Sequence, residues 1–437
     1  MCKNYYKSKY RNLIVGVDTK VPVNNGKIVT AINFDNAATT PPFISVLKEI
    51  FDYAPWYSSI HRGSGYKSLV SSKLYEESRK IILDFVGADD KLNTVIYVKN
   101  ATEAINKLAN RLFDKKTRYV VLSSYMEHHS NDLPWRKDYK VDYIEVDECG
   151  RIDLNSLERQ LKKYRGKVKL VALTGASNVT GYINPILAAA KIVHKYGASI
   201  LIDGAQLVPH TNVNMKNENI DFLVFSAHKM YAPFGIGVLI GPTKTFERGA
   251  PDYVGGGTVN LVTHNYVEWN SPPNKEEAGT PNIMGVVALV AAIKTLNLLR
   301  RSEIQQYENS LTIYTIDSLK KIRDVKLYCI DSDVLRVGIV PFNIEGVEHG
   351  IVSEILSNEA GISVRDGCFC AQPYIRKLLK LDSNNIDRTR NRPGMVRISF
   401  GLYNDYSEVD RLVWILSKIV NNKEYYRNKY YKNYLER

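Results

Sequence analysis

The sequence predicts an α/β fold in which a mainly parallel, seven-stranded sheet is sandwiched by helices, followed by a smaller α+β domain. Two observations predict this fold. Short β-rich apolar runs alternate with helical patterns between about residues 94 and 240, which favours a parallel sheet covered on both faces. The alternation stops near residue 300, which indicates a second unit of different architecture.

Seven apolar runs are predicted as the strands of the sheet. They cover residues 94–98, 119–122, 143–146, 169–174, 199–203, 222–225 and 237–240. Helical periodicity in the intervening segments predicts helices over residues 103–112, 154–163 and 185–196.

The pattern after residue 300 predicts a mixture of helices and short strands. In order, these are a helix over 302–322, a strand over 334–341, a helix over 347–357, strand-like pieces at 362–365 and 395–400, and a last helix from Tyr406. We therefore expect three parts: an N-terminal extension (1–30) that packs on the small domain, a large α/β domain (31–300) and a small α+β domain (301–437).

Composition excludes several classes of protein. The chain has 437 residues, 44% hydrophobic and 24% charged, as in globular proteins rather than disordered, collagenous or coiled-coil chains. The longest apolar run, residues 283–293, is shorter than the ~20 residues of a membrane-spanning helix, and the polar start lacks the apolar core of a signal peptide. Five cysteines without a disulfide pattern agree with a reducing compartment, so we expect a cytoplasmic protein that does not span a membrane.

The formal net charge of +13 suggests an anionic ligand or a nucleic acid. However, the lysines and arginines are spread along the chain, and their densest tract is the tail at 421–437, with five basic and two acidic residues. Because no zinc-finger spacing or RNA-binding signature accompanies this tail, a solvated helical end explains it better than an RNA-binding arm. We expect no nucleic-acid partner.

An acid and a lysine each follow a predicted strand. Asp203 ends the strand 199–203, which places its carboxylate at the edge where α/β ligand sites form, although such an acid taken alone is more often a helix cap or a turn residue. Lys229 follows the strand 222–225 in the segment Ser226-Ala227-His228-Lys229, 26 residues after Asp203. Pyridoxal phosphate chemistry needs such a pair, because the lysine forms the Schiff base and the carboxylate keeps the pyridine nitrogen protonated.

Two further segments suit a phosphate and an aromatic ring. Ala101 and Thr102 lie between a strand and a helix, where the helix N-terminus offers donors to a phosphate; an ordinary threonine cap is an equally good explanation. The segment lacks the glycines of a nucleotide-binding loop. His128, beside His129, can stack on a cofactor ring and relay protons. No third ligand follows at zinc-site spacing, so we expect no metal.

Taken together, these segments show a resemblance to a known family. The chain resembles the cysteine desulfurase/selenocysteine lyase branch of the class V aminotransferase superfamily, whose members are fold-type I PLP-dependent transferases. Ten short matching segments run in family order over nearly the whole chain: FDNAATT (34–40), IHRG (60–63), ATE (101–103), EHH (127–129), SN (177–178), DGAQ (203–206), SAHK (226–229), EAGTPN (277–282), VRDG (364–367) and VRIS (396–399).

The resemblance implies how pyridoxal 5'-phosphate would be held. Lys229 would form the Schiff base, Asp203 would pair with the pyridine nitrogen, Gln206 would bind the phenolic oxygen and His128 would stack on the ring and act in catalysis. The phosphate ligands would be Ala101, Thr102, Ser226 and His228, together with Thr280 of a neighbouring subunit, since members of the family are homodimers with shared active sites.

The resemblance also implies the substrate contacts. Asn178, which is also counted among the cofactor-binding residues, and Arg397 would bind the substrate carboxylate, the latter with the two-pronged geometry of a guanidinium. His61 and Arg62 would line the substrate entrance, and Ala37 would leave room for the substrate.

Cys370 lies five residues after Arg365, where desulfurases of this branch carry their nucleophile. The resemblance implies that its thiolate attacks the sulfur of bound L-cysteine, keeps that sulfur as a persulfide and releases L-alanine. Arg365 would bind substrate and provide a cationic neighbour that favours the thiolate. Cys368 departs from the family pattern, so Cys368, Cys370 or both react, or both are idle thiols; a metal pair is disfavoured because no other cysteine or histidine cluster completes it.

A second departure is the basic, polar stretch 382–392 between Cys370 and Arg397. The segment is shorter in the branch that the chain resembles. The additional residues would remodel the entrance, bind a partner or mark a different substrate.

The sequence therefore predicts a PLP-dependent cysteine desulfurase that passes persulfide sulfur from Cys370 to an acceptor protein. The alternative is a class V aminotransferase, epimerase or lyase that acts on another amino acid, including selenocysteine. A basic RNA- or protein-binding scaffold that kept the fold is a third hypothesis, and the intact Lys229, Asp203 and Arg397 argue against it.

Overall fold

A seven-stranded sheet forms the centre of the computed structural model, which describes residues 7–24, 26–331, 334–381 and 393–435. The strands of the whole described structure are β1 (Lys20–Pro22), β2 (Ile28–Thr30), β3 (Ile32–Asn33), β4 (Asn93–Val98), β5 (Val120–Ser124), β6 (Lys140–Ile144), β7 (Val168–Thr174), β8 (Ser199–Asp203), β9 (Phe222–Ser226), β10 (Gly237–Pro242), β11 (Val259–Val262), β12 (Val267–Trp269), β13 (Val325–Leu327), β14 (Ile339–Ile344), β15 (Ile362–Ser363), β16 (Arg365–Gly367) and β17 (Met395–Ser399). Its α-helices are α1 (Ile44–Tyr53), α2 (Tyr66–Phe85), α3 (Ala101–Leu112), α4 (Leu133–Asp138), α5 (Leu154–Tyr164), α6 (Ile186–Lys195), α7 (Thr243–Glu247), α8 (Ile283–Leu298), α9 (Arg301–Leu319), α10 (His349–Ala360), α11 (Gln372–Leu378), α12 (Tyr406–Asn421) and α13 (Lys423–Leu435).

The central sheet has the strand order β4-β10-β9-β8-β7-β5-β6. Strands β9, β8, β7, β5 and β6 run parallel, and β10 is antiparallel to both of its neighbours. Alternate residues of β7 enter different apolar cores: Leu170 and Ala172 face one, and Val171 and Leu173 face the other. Both faces of the sheet are therefore covered, which confirms the predicted α/β class and places all seven predicted strands in one sheet.

The parallel register aligns the carboxyl ends of the central strands. Thr174 at the end of β7 pairs with Asp203 at the end of β8, and Asp203 pairs with Val224, two residues before the end of β9. Polar side chains at these ends, including Ser226, consequently lie along one edge of the sheet.

Two strand boundaries predicted from the sequence were wrong. The strand expected at 143–146 covers Lys140–Ile144; it lies at the edge of the sheet, and its polar, partly exposed residues do not form an apolar run. The strand expected at 334–341 covers Ile339–Ile344, because Pro341 lies inside it rather than at its end, with its carbonyl oxygen accepting a hydrogen bond from the Tyr328 amide (3.3 Å).

The C-terminal part is built on an antiparallel sheet of order β13-β14-β17-β16. Strand β15 pairs in parallel with β3, so the N-terminal segment is joined to this part of the chain. Arg11 also forms an ion pair with Glu408 (2.7 Å), and Asn24 donates a hydrogen bond to the Tyr430 hydroxyl (2.7 Å). The division at residues 30 and 300 itself stays a prediction.

The basic tail forms helix α13, which packs along α10. Its Tyr426 and Tyr430 are buried in the C-terminal core. Three of its cations are paired with carboxylates of the same part of the chain: Lys423 with Asp324, Arg427 with Glu348 and Lys429 with Glu359. Much of the charge that made this tract conspicuous in the sequence is thus neutralised locally.

The longest apolar run of the sequence lies in α8, most of whose residues are buried inside the protein. In the described ranges, no single helix has both the length and the apolar composition of a membrane span. Helices α8 and α9 reach those values only as a pair, and they are bent by 80° where they meet.

Candidate active site

A cavity of about 670 Å³ lies at the carboxyl edge of the central sheet. It brings together residues from strand ends, helix starts and the C-terminal part. Thirteen of the predicted site residues line it: Ala37, Ala101, Thr102, His128, Asn178, Asp203, Gln206, Ser226, His228, Lys229, Arg365, Cys370 and Arg397.

The three remaining predicted residues, His61, Arg62 and Thr280, lie elsewhere in this chain. They share a second cavity of about 400 Å³ between segments 59–62 and 277–281. The His61 ring is 2.7 Å from a Glu76 carboxylate oxygen. One chain alone therefore does not place these three side chains beside Lys229.

The start of α3 forms one wall of the main cavity. Asn100 caps the helix by accepting a hydrogen bond from the Glu103 amide (3.0 Å), and the Ala101 amide donates to the Ser226 hydroxyl (2.8 Å). The Thr102 hydroxyl lies 2.7 Å from that of Ser130. Hydroxyl groups beside a helix N-terminus make a suitable site for an anion.

Close packing fixes this wall against strand β10. A Cβ atom at Gly237 would lie 2.6 Å from the Asn100 Cα atom. Any side chain at this position would therefore clash with the backbone of Asn100. His228, on the strand side of the wall, has its pKa lowered to about 4 by burial and by the Lys229 charge. It is consequently neutral near pH 7 and acts as a hydrogen-bonding group rather than a cation.

Lys229 and Asp203 form the floor of the cavity. Burial lowers the pKa of Lys229 to about 8, an effect that Asp203 opposes and the positive charge of Arg397 reinforces. Asp203 is buried and accepts a hydrogen bond from the Ala205 amide (3.0 Å). Burial raises its pKa, whereas that hydrogen bond and Lys229 act in the opposite direction. A lysine with a lowered pKa can exchange a proton near neutral pH.

Gln206 and His128 complete the surroundings of the floor. The Gln206 amide nitrogen donates to the Ala37 carbonyl (2.7 Å), and its buried Oε1 atom has no hydrogen-bond partner within the described ranges. His128 accepts a hydrogen bond from the Ser130 amide at Nδ1 (3.1 Å). Burial and, next, Lys229 lower the His128 pKa to about 3, so the ring is neutral and carries its proton on Nε2.

Glu127 precedes His128 in the chain, and its side chain is buried. Its carboxyl group accepts hydrogen bonds from the Ser124 hydroxyl and the Asn131 amide, both at 2.6 Å. Burial raises the Glu127 pKa to about 8 despite these bonds. The carboxyl group is fully enclosed and anchors the segment that carries His128.

Arg397 supplies a buried cation on the opposite side of the cavity. Its Nη1 donates to the Asn178 carbonyl (2.9 Å), its Nη2 donates to Asp35 (3.0 Å), and its guanidinium lies 5.0 Å from the centre of the Phe369 ring. Asp35 also forms an ion pair with Arg365 (3.0 Å). Burial lowers the pKa of Arg397 to about 10, which still leaves the guanidinium charged at neutral pH.

Cys370 belongs to a tight turn over residues 368–371, here called the cysteine turn. The Ala371 amide donates to the Cys368 carbonyl (2.8 Å), and both central residues, Phe369 and Cys370, have left-handed φ angles of 50° and 53°. Such angles cost L-residues free energy unless surrounding contacts enforce them.

The contacts that enforce the cysteine turn come from the segments that follow strands β5 and β7. The Asn178 side-chain amide donates to the Phe369 carbonyl (2.8 Å), the His129 amide donates to the Cys370 carbonyl (2.6 Å), and the His129 ring accepts from the Gln372 amide (3.2 Å). Cys370 is exposed, whereas Cys368 is half-buried. Both cysteines line the cavity, and Cys370 is the more exposed of the two.

The family of the chain follows from comparison with known proteins. Residues 32–412 match the sequence model of the family described as aminotransferase class V. The chain belongs to this family. Two curated relatives are similar to most of the chain: a cysteine desulfurase of Haloferax volcanii is 34% identical over 408 residues (91% of this chain, 92% of that protein), and a probable cysteine desulfurase of Pyrococcus abyssi is 35% identical over 403 residues (90% and 94%).

Solved structures agree with this class V aminotransferase assignment. The apo cysteine desulfurase of Thermococcus onnurineus NA1 superposes with a TM-score of 0.80 at 32% identity, covering 90% of this chain and 95% of that one. A cysteine desulfurase of Escherichia coli gives a TM-score of 0.78 at 28% identity with the same coverage. These similarities confirm the predicted branch of the superfamily.

The residues of this class V aminotransferase fit pyridoxal phosphate, the cofactor that the family implies. The cavity is large enough for a small organic ligand at about 670 Å³. It offers an anion site at the start of α3, a lysine with a lowered pKa, and a buried carboxylate. The partnerless Oε1 atom of Gln206 is a further polar group directed at a ligand rather than at the protein.

Sequence reasoning missed three residues of this class V aminotransferase site. Asp35 was noted only as part of the segment 34–40, and its pairing with Arg365 and Arg397 became visible in the structure. Glu127 and His129 were noted only as neighbours of His128. His129 acts largely through its backbone amide, which no residue pattern reveals. The stretch 382–392 lies outside the described residues.

Proposed function

We propose that the protein is a PLP-dependent cysteine desulfurase that converts L-cysteine to L-alanine and keeps the sulfur as a persulfide on Cys370. The observation that carries this proposal is the position of Cys370 on a fixed turn over the cavity that also holds Lys229 and Arg397. Relatives named cysteine desulfurase at 34% and 35% identity support it.

The cofactor would be held by the floor and the α3 wall of the cavity. Lys229 would bind it covalently, Asp203 would pair with its ring nitrogen and Gln206 with its phenolic oxygen. Its phosphate would lie among Ala101, Thr102, Ser226 and His228, and the neutral His128 ring would stack on it. When bound, the cofactor withdraws electrons from the Cα–H bond of an attached amino acid.

The substrate carboxylate would bind Arg397 and Asn178, which orients Cα towards Lys229. The Lys229 Nζ atom, with its pKa lowered to about 8, then takes the proton from substrate Cα. The guanidinium stays charged throughout the neutral range, so it continues to hold the carboxylate during this transfer.

Sulfur transfer follows from the position of Cys370. Its thiolate attacks the substrate sulfur, the new S–S bond forms as the Cβ–S bond breaks, and the electron pair of that bond stays with the carbon fragment. This fragment takes up a proton at Cβ, regains a proton at Cα from Lys229, and leaves as L-alanine.

The persulfide on an exposed thiol would be passed to a protein acceptor. The described cysteines (Cys149, Cys329, Cys368 and Cys370) are free, which supports a reducing compartment such as the cytoplasm.

The active form would be a homodimer with shared sites. His61, Arg62 and Thr280 lie together but away from Lys229, which is the arrangement expected if they complete the site of a neighbouring subunit. Exposed apolar side chains near this cluster, including Trp56 and Tyr66, suit a buried interface.

Subunit mixing tests the shared site. Lys229→Ala and Thr280→Ala homodimers should each be impaired, but a heterodimer of the two contains one intact site and should regain activity. If the mixed dimers, confirmed by mass, were no more active than the parents, Thr280 would not serve the neighbouring subunit.

Product analysis tests the reaction. Cofactor-loaded protein is incubated with L-cysteine and a thiol reductant, and alanine, pyruvate and sulfide are quantified together. Equal amounts of alanine and sulfide are expected, whereas pyruvate with sulfide would indicate a lyase.

Cys370→Ala should lose alanine production while still binding L-cysteine, and Cys149→Ala, a cysteine outside the cavity, should behave as wild type. Undiminished persulfide in Cys370→Ala would defeat the assignment.

A further inference from the structure

Asp35 forms ion pairs with two arginines at once, an arrangement that its place in the sequence does not reveal. Its two carboxylate oxygens contact two different arginines: Oδ1 is 3.0 Å from Arg397 Nη2, and Oδ2 is 3.0 Å from Arg365 Nη2. Arg397 is buried, and about half of the Arg365 side chain is exposed. The carboxylate thus lies between a buried cation and one at the entrance to the cavity.

The donors of Arg397 are not all used. One N–H of Nη1 is taken by the Asn178 carbonyl and one N–H of Nη2 by Asp35, but the buried Nε atom has no partner in the described part of the chain. A carboxylate that binds a guanidinium with two prongs needs two adjacent donors. A ligand carboxylate that uses the adjacent Nε and Nη2 donors therefore shares Nη2 with the negatively charged Asp35.

We propose that Asp35 is an internal competitor that lowers the affinity of Arg397 for carboxylates. An incoming carboxylate that uses Nε and Nη2 is repelled by the negative charge of Asp35, and it binds tightly only when Asp35 moves away from Nη2. Asp35 is not left without a partner when this happens, since its other oxygen remains with Arg365. The proposal rests on the proposed function in one respect, namely that Arg397 receives the substrate carboxylate.

The competition explains how a buried cation avoids binding every small anion. Without a ligand, Asp35 neutralises Arg397, which reduces the large cost of an unpaired buried charge. A ligand that offers only a carboxylate gains little by replacing one carboxylate with another. An amino acid gains more, because its amino group also engages the cofactor.

The orientation of Arg397 does not depend on Asp35 alone. The Asn178 carbonyl and the Phe369 ring hold the guanidinium from two other directions. Removing the Asp35 charge should therefore leave Arg397 in place but without its internal counter-ion.

The test measures carboxylate binding to the holoenzyme by calorimetry, with L-alanine and propionate as probes. Asp35→Asn keeps the shape of the side chain and removes its charge. We expect its dissociation constants for both probes to fall about tenfold, the effect of removing a competitor that occupies about 90% of the sites. The gain should be similar for propionate and L-alanine, because Asp35 competes with both carboxylates alike. Asp35→Glu keeps the charge and should not tighten binding.

Glu408→Gln is the matched control. Glu408 is also a buried carboxylate paired with a buried arginine, Arg11, but it does not line the cavity. Both amide variants should lose some thermal stability, and only Asp35→Asn should bind propionate more tightly. If Asp35→Asn did not fold, the smaller neutral variant Asp35→Ser would replace it with the same expectation.

The outcomes separate this proposal from the proposed function. Equal or weaker propionate binding in Asp35→Asn, with alanine binding intact in wild type, would reduce Asp35 to a structural ion pair and overturn the competition. If wild type bound neither probe, Arg397 would not be a carboxylate site, and both proposals would fail. Tighter binding of both probes without any desulfurase activity would support the competition while rejecting L-cysteine as the substrate.

Discussion

The floor of the cavity and the cysteine turn are held in place by different kinds of structure. Asp203 and Lys229 stand at the ends of buried, hydrogen-bonded strands whose register fixes them together. The cysteine turn has two left-handed residues in succession and is held by a few side-chain and backbone contacts from Asn178 and His129. The floor therefore resists single substitutions in its surroundings, whereas the turn depends on individual hydrogen bonds.

The largest effect is expected from Lys229→Ala. Loss of a general base alone costs about 10²–10⁴-fold in rate, and the variant also loses its covalent attachment to the cofactor, so turnover should disappear entirely. Turnover of L-cysteine by the purified variant measures this effect. Lys195→Ala, an exposed lysine on α6, is the control and should keep wild-type activity. Residual turnover above about 1% of the wild-type rate, which is a loss of less than about 10²-fold, would contradict the role given to Lys229.

Asp203→Asn tests the floor without changing its shape. A hydrogen bond to a charged group is worth about 1.5–3 kcal/mol, so we expect cofactor binding to weaken by about 10–100-fold and the rate to fall as well. Cofactor retention during gel filtration and turnover should decline together. A variant that retained cofactor and turnover would show that the Asp203 carboxylate is not needed for cofactor binding or catalysis.

His129→Ala tests the turn without touching the floor. The ring accepts a hydrogen bond from the Gln372 amide at 3.2 Å, and a neutral bond of this kind contributes about 0.5–1.5 kcal/mol. Persulfide formation should fall by about 3–10-fold while cofactor binding stays unchanged. His129→Gln supplies another acceptor and should recover part of the loss. Equal losses of cofactor and persulfide would mean that the two regions are not independent.

The same contrast explains what the sequence could and could not predict. The floor was predictable because it follows buried strands, whose apolar runs and terminal polar residues are visible in the chain. The anchoring of the turn was not, because it joins His129 and Asn178 to residues about 240 and 190 positions away and uses backbone atoms that every residue has. The pairing of Asp35 with Arg365 and Arg397 was hidden for the same reason, although all three lay within recognised segments.

Glu127 lies beside the floor and anchors the segment that leads to His129, so its titration should act on stability rather than on chemistry. Its pKa is raised from about 4.5 to about 8 by burial, so the folded protein keeps the proton that the unfolded chain releases. The stabilisation is complete below about pH 4.5 and is lost progressively as the pH rises to about 8, because the unfolded state then binds fewer protons.

Glu127→Gln cannot titrate and should not show this loss. Urea unfolding at pH 5 and pH 8 should therefore show the variant gaining about 1 kcal/mol or more relative to wild type at the higher pH. A difference between the two proteins that stayed constant with pH would mean that Glu127 is already ionised in the folded state, held by Ser124 and Asn131.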